Sequence, residues 1–456
     1  MKPQHIAFLL LTCVCAAFPL AAQDDGFAGQ SFGFGFEGEE GAGNLSGGAL
    51  AVSVGGEVSA SIVGYVDDFA DGADKAQLGD LFSGKLNFTA ESSRASGVIK
   101  LNLQPVPPES PVSPVAIDEA YVRAYFGSLD IEGGLRKLTW GKADSFGPLD
   151  VINPLDNTDM TDMSDLMNLK IARPLIHASF RIGSFSKLEG VFVPAFEPIR
   201  LASEGRWRPA QMAQLDQLEA AGVPVNRPDT ATLTTIEYAQ AGARFTTTVG
   251  PADIGVQYYY GRLTKPAVSM TFAPSLPPTP TGVTFAYNPY HQIGADWAQV
   301  LFGLNVRAEL AANITGDVDG DDGTVYNPHL AWSFGFDRDL LWGINLNIQA
   351  NETVTLLHNK IGDNPLGIDI EADTDPTATQ IIAALTKTFF RDELEARVAV
   401  IWEPEAGDFL LTPSLVWTKD AVSIELSGGI FGGDKEGQFG QYRDNSFVKA
   451  ALTYTF

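Results

Sequence analysis

Six carboxylates crowd one stretch of this chain: Asp144, Asp150, Asp156, Asp159, Asp162 and Asp165 all fall within 143–170. Arg136, Trp140, Gly141 and Lys142 lead into that stretch, and Arg173 and Pro174 follow it. Opposed rows of carboxylates and bases set up a transverse field that sorts small polar molecules by charge and orientation. The bases expected to face these acids are Arg123, Arg136, Lys142, Arg173 and Arg181. Asn153 and Asp156 flank Pro154 and are turn formers that bond back to their own backbone, so the segment is expected to hold a fixed, inward-folded shape that narrows an opening. The plainer reading is a set of solvated loop acids.

Other chemistry is sparse. The histidines beyond residue 22, His177, His291, His329 and His358, have no HExxH spacing, and the chain has no GxSxG elbow. His177, two residues from Ser179, is the best candidate for a hydrolytic site assembled from distant strands, against the plainer reading of a satisfied interior histidine. The expectation is no enzyme. Asp317, Asp319, Asp321 and Asp322 mimic a calcium loop, but Asp322 stands where the EF-hand requires glycine and Pro328 where it requires glutamate. Gly33, Gly35 and Gly38 spell GxGxxG without a strand before them, and Gly79 to Lys85 spells GxxxxGK with Leu86 in place of Ser or Thr. Cys13 and Cys15 are the only cysteines. No cofactor and no metal are expected. A net charge of −26 argues against nucleic acid as a partner.

What must position the acid-rich stretch is a series of strands. Lys2, the apolar run Ile6 to Val14 and small residues up to Ala22 read as a signal peptide, 1–22, and a lipoprotein signal at Cys13 is the rival reading. Residues 23–48, rich in glycine and acids, read as a flexible lead-in. From 49 to 456 polar and apolar residues alternate repeatedly. Asn305, Arg307 and Glu309 interleave with Leu304, Val306 and Ala308, and Asn345, Asn347, Gln349 and Asn351 interleave with Ile344, Leu346, Ile348 and Ala350. Tight turns, such as Gly127 to Leu129, Gly183 to Phe185, Arg338 to Asp339 and Lys419 to Asp420, alternate with long polar or Pro-rich connections. The longest of these are 143–170 and 195–232. Residues 210–221 within the second have helical spacing between Pro209 and Gly222. The fold expected is all-β: a transmembrane antiparallel up-and-down barrel of about 18 strands, in the range of roughly 16 to 20. Tyr121, Tyr125, Trp140, Tyr259, Trp402 and Trp417 are among the aromatics assigned to its girdles.

The final stretch, Ser446 to Phe456, alternates Val448, Ala450, Leu452, Tyr454 and Phe456 against Lys449, Thr453 and Thr455, and is expected to pair with the first strand near Ala49 to Tyr65. Its aromatic ending, the Trp-Gly pair at 140–141 and the Asp-x-x-Asn-Pro-x-Asp element at 150–156 together resemble bacterial outer-membrane porin-like barrels. The resemblance covers some 40 residues plus the barrel layout. It implies the outer membrane of a Gram-negative-type bacterium, outer-membrane lipid around the barrel, and Tyr454 and Phe456 as the signal to the barrel-assembly machinery. The signal peptide, the cysteines confined to it, the inward Asn, Gln, Arg and Glu and the aromatic ending lead to the expectation of an aqueous channel for passive diffusion of small hydrophilic solutes, with a homotrimer as one assembly. Against it stand a plugged structural or adhesin-type barrel and, less favoured, a barrel hydrolase.

Overall fold

A computed structural model describes residues 50–71, 82–104, 113–163, 166–275, 279–362, 369–372 and 374–456. The expected signal peptide, the lead-in 23–48 and Asp165 lie outside the described residues. Eighteen strands form one closed sheet. They are β1 (Ala51–Tyr65), β2 (Phe82–Glu91), β3 (Ala95–Leu103), β4 (Val115–Phe126), β5 (Leu129–Arg136), β6 (Arg173–Ile182), β7 (Ser186–Val193), β8 (Gln240–Val249) and β9 (Ala252–Arg262). The circle continues through β10 (Pro289–Leu301), β11 (Leu304–Thr315), β12 (His329–Asp339), β13 (Ile344–Thr355), β14 (Thr377–Phe389), β15 (Leu394–Glu403), β16 (Asp408–Lys419), β17 (Val422–Gly432) and β18 (Phe447–Thr455). Each strand pairs antiparallel with the next, and β18 closes on β1 with Ala450 opposite Ile62. Closure leaves no open edge. Phe456 adds a reciprocal pair with Gly56, N to O and O to N, both 2.9 Å.

Alternation sends each strand's side chains to opposite faces, and here the apolar set points out. Ile293 is 58% exposed while its neighbour Gln292 is 1% exposed. Val52, Val122, Leu310 and Leu452 are exposed in the same way, whereas Arg244, Gln257, Asp296, Glu309 and Gln349 are buried inside. An apolar outer belt around a polar interior suits a bilayer and would be unstable in water.

The links from β2 to β3, β4 to β5 and so on to β16 to β17 run two to four residues, all on one rim. Phe302 and Gly303, φ 54° and 77°, make a left-handed two-residue turn that matches strand twist. The opposite rim carries the long connections, including 137–172 and 194–239, with only 404–407 short.

Several details differ from the sequence reading. Arg338 and Asp339 are still in β12, and the turn falls at Leu340–Gly343, where Trp342 adopts φ 67°. The connection from β9 to β10 holds a hairpin, Ala267–Ala273 with Thr279–Ala286, joined by Val225–Asn226. Helix α1, Ala210–Ala220, forms between Pro209 and Gly222 as expected, but none of its residues is buried, because it lies on the surface of its loop. Trp140 and Tyr259 are not girdle residues: they pack edge to face inside the barrel, ring centroids 6.4 Å apart.

Candidate functional site

The loop 137–172 is closed at its root by Asn153. Its Oδ1 accepts from the Leu138 N–H at 2.8 Å, and its Nδ2 donates to the carbonyls of Arg136, 3.1 Å, and Ile171, 2.8 Å. The amide thus staples the outgoing and returning chains, spending both ends on backbone groups. Lys137 reinforces the root, bonding Asp118 at 2.7 Å and the Met167 carbonyl at 2.9 Å. Lys170 bonds Asp150 at 2.5 Å and Thr139 at 2.6 Å.

From that root the segment 141–149 runs onto β9 to β13. The Glu309 carboxylate accepts three of its backbone N–H groups, Lys142, Ala143 at 2.7 Å and Leu149 at 3.3 Å. Gln349 both accepts from Ser145 N–H, 3.0 Å, and donates to the Phe146 carbonyl, 2.8 Å. Gln292 donates to the Pro148 carbonyl and Gln257 to that of Leu149, each at 2.9 Å. A Cβ at Gly141 or Gly147 would run into the Glu309 carboxylate, so glycine at both places is what permits the approach. Lys85 on β2 reaches Asn168 at 3.5 Å. A loop rooted between β5 and β6 that touches β13 on one side and β2 on the other crosses the lumen of an 18-stranded ring.

The loop 194–239 crosses toward the other wall. Trp207 is buried among Tyr65 of β1, Phe431 of β17, Phe447 of β18 and Tyr442 of the connection 433–446. Its carbonyl accepts from Tyr442 Oη at 3.2 Å, and the Arg206 carbonyl accepts from Asn445 at 2.7 Å. Burial pushes the Tyr442 phenol up to about 12, so it remains a donor at neutral pH. Arg206 lies over the Tyr65 ring, 4.3 Å from its centroid, and pairs with Asp68. Met160 of the first loop joins this cluster, so the two loops meet.

Among the residues singled out above, Asp144 crosses to the wall. It pairs with Arg307 at 2.7 Å and accepts from Asn347 at 2.9 Å, and Arg307 also holds Asp337 at 2.7 Å. Burial raises the Asp144 carboxyl above its ordinary value, Arg307 and Asn347 pull it down, and Asp337 pushes it up again. The other bases and acids have these partners among the described residues. Arg123 and Arg136 both pair with Glu132, and Arg136 sits over Tyr121. Lys142 lies 3.9 Å from Asp296, Arg173 2.5 Å from Glu197, and Arg181 3.1 Å from Asp130. Asp150 takes Lys170 of its own loop, and Asp156 takes Arg200 at 2.7 Å. Asp156 and Asp159 also cap their own turns at Thr158 N, 3.1 Å, and Thr161 N, 2.8 Å. For Arg123 and Arg181 the partner is an acid on the neighbouring strand, which is already in reach.

His177 lies in the lumen with Nδ1 facing Glu132 and Nε2 facing Glu189, 3.3 Å each, so a carboxylate flanks either ring nitrogen. Asp317 accepts from the N–H groups of Asp321 and Asp322, 3.0 and 3.1 Å, as a turn former does. Tyr454 and Phe456 stack on the outer face, 6.4 Å between centroids, both about half exposed. Glu309 and Trp207 were not singled out from the sequence as site residues. Gly141 and Gly147 carried the only local hint of the first, and an isolated Trp in a polar loop the only hint of the second.

No family model and no curated protein matches the sequence. Solved structures similar to it include OccAB4 of Acinetobacter baumannii, 10% identical over 89% of this chain and 98% of that one, with TM-score 0.49. The outer membrane channel DcaP of Acinetobacter baumannii is 10% identical over 90% of this chain and 98% of that one, TM-score 0.42. Wzi of Escherichia coli, described as a carbohydrate-binding β-barrel involved in capsule assembly, is 12% identical over 88% and 84%, TM-score 0.45.

Proposed function

We propose that this chain is an outer-membrane channel of a Gram-negative-type bacterium, passing small hydrophilic solutes by diffusion, with loop 137–172 as its constriction. The observation that carries this reading is the knot at Glu309: a loop held across a polar lumen by buried hydrogen bonds has a fixed position and so a fixed aperture. The tight turns then face the periplasm, and the outward Tyr454 and Phe456 are presented to the assembly machinery. Reconstitution into planar bilayers tests it: discrete conductance steps are expected from the folded barrel, and a silent bilayer overturns the reading.

A sealed barrel is the second reading, favoured by the Trp207 cluster, which fills the mouth beside β1 and β18 with apolar side chains. In that case the intact chain is silent, and deletion of 202–208 produces conductance.

A further inference from the structure

The outer wall beside the tight-turn rim is not the same all the way round. Its last outward positions on β4, β6 and β8 are the exposed Phe126, Ile182 and Val249. On β12, β14 and β16 bases stand in their place. Ser333, Gly335 and Asp337 are buried on the lumen side of β12 while Phe334 is exposed, so Arg338 continues the outer row. Ile382, Ala384 and Thr386 are buried inside β14 while Leu385 is exposed, so Lys387 does the same. Lys419 of β16 lies opposite Val422, in the row of the exposed Ile424 and Leu426.

None of these three bases forms an ion pair among the described residues. The acids beside them, Asp339, Asp392, Glu393 and Asp420, belong to the turns or to the inner row, and Asp339 already accepts from Asn345 at 2.9 Å. Lys387 rests over the Phe389 ring, 5.0 Å from its centroid. Arg338 lies opposite Leu346 and Lys387 opposite Ile344, both on β13. The two cations therefore flank an apolar strip two strand spacings wide, about 10 Å.

At the foot of that strip the β12–β13 turn turns Leu341 and Trp342 away from the protein, 78% and 77% exposed. Trp342 holds φ 67°, a turn position that glycine or asparagine ordinarily fills. Phe390 repeats the device in the β14–β15 turn, at φ 55° and followed by Arg391. A bulky ring held in a strained backbone and left open gains little from its own chain. It gains from the headgroup level of a bilayer, where an aromatic ring is half apolar and half wet. A cation aimed outward at the same level meets lipid phosphate, and an Arg fork binds phosphate with more than one N–H.

We infer that the β12–β16 sector of the tight-turn rim is a binding site for an anionic phospholipid, with Arg338 and Lys387 on the headgroup phosphate and Leu341 and Trp342 on the glycerol and the first methylenes of the chains. It rests on the orientation in the channel reading, which puts this rim in the inner, phospholipid leaflet, and not on conductance. The β4–β8 sector offers apolar surface without charge and retains lipid without regard to headgroup.

Native mass spectrometry of the refolded barrel, with equimolar phosphatidylglycerol and phosphatidylcholine in mild detergent, tests the site. One phosphatidylglycerol should be retained in preference by roughly tenfold, two bases at about a factor of five each with some loss to screening. Arg338→Gln with Lys387→Gln orphans no acid and should bring the ratio to about unity. Lys187→Gln removes a base of the lumen and should leave the ratio as it is. Trp342→Ala should lower retention of both lipids alike. A wild-type ratio near unity, a ratio unmoved by the double variant, or one lowered as far by Lys187→Gln overturns the proposal, and retention untouched by Trp342→Ala overturns the part given to the ring. Lipid A retained in preference to phosphatidylglycerol would put this rim in the outer leaflet and overturn the site together with the orientation, whereas silence in planar bilayers counts against the channel alone.

Discussion

Two loops cross this barrel and are held by opposite means. The segment 141–149 is bound through its backbone to polar side chains of β9 to β13, with Glu309 and Gln349 taking several groups each. Residues 206–208 are bound through one buried indole, packed against rings of β1, β17 and β18. The first attachment is directional and fixes where the chain runs, because every N–H must meet its acceptor. The second is dominated by non-directional apolar burial, with only two hydrogen bonds, from Tyr442 and Asn445 to the Trp207 and Arg206 carbonyls, beside it. A barrel needing one precise aperture and one stable lid would distribute its interactions in this way.

The largest effect is expected from Glu309→Ala. Three backbone N–H groups then lose their acceptor in a buried place, at roughly 1–3 kcal/mol each, and 141–149 should detach. Trypsin should then cut after Lys142, a site the tether at Glu309 is expected to protect in the wild type, and channel current should rise and become noisy. Trp207→Ala comes next, at about 3–5 kcal/mol for a large buried aromatic. Its cuts should fall after Arg206 and Arg208 and spare Lys142. Cleavage at both places in either variant would show that Met160 couples the loops into one unit, and the distinction drawn above would fail.

How much of this was legible follows from the same distinction. The strand count and the closing pair β1–β18 were readable because lipid on one face and water on the other impose alternation at every position, as Gln292 beside Ile293 shows. The staple at Asn153 was half readable: Asn-Pro announces a turn, but not that the amide reaches Leu138 and Ile171. Glu309 looked like any lumen residue of an alternating strand, since its partners lie about 160 residues upstream in sequence and nothing local marks a tether. Trp207, between Arg206 and Arg208, looked like exposed loop because the rings that bury it come from both ends of the chain.

Alkali should sharpen the comparison at the lid. The folded Tyr442 phenol is held at about 12, above the ordinary value of about 10, so its contribution is complete below pH 10 or so and is lost as pH rises toward 12. The melting temperature of the wild type should therefore fall across that window more steeply than that of Tyr442→Phe, which starts about 1 kcal/mol lower for the lost bond to the Trp207 carbonyl. Identical slopes would place Tyr442 outside the lid's energetics.

The smallest effect is the one that separates charge from hydrogen bonding at the tether. Asp144 pairs with Arg307, yet burial keeps its carboxyl above the ordinary aspartate value of about 3.9, so the fold holds the proton more tightly than the unfolded chain does. With that sign, the site is best served below pH 4 or so, and the contribution is lost as pH rises through the raised value. Asp144→Asn removes the charge and keeps an oxygen for Arg307, which retains Asp337. At pH 7 it should leave stability within about 1 kcal/mol of the wild type or slightly above, with Lys142 still protected from trypsin. Release of the loop by so mild a change would mean that the ion pair, and not the ring of N–H groups around Glu309, holds the loop in place.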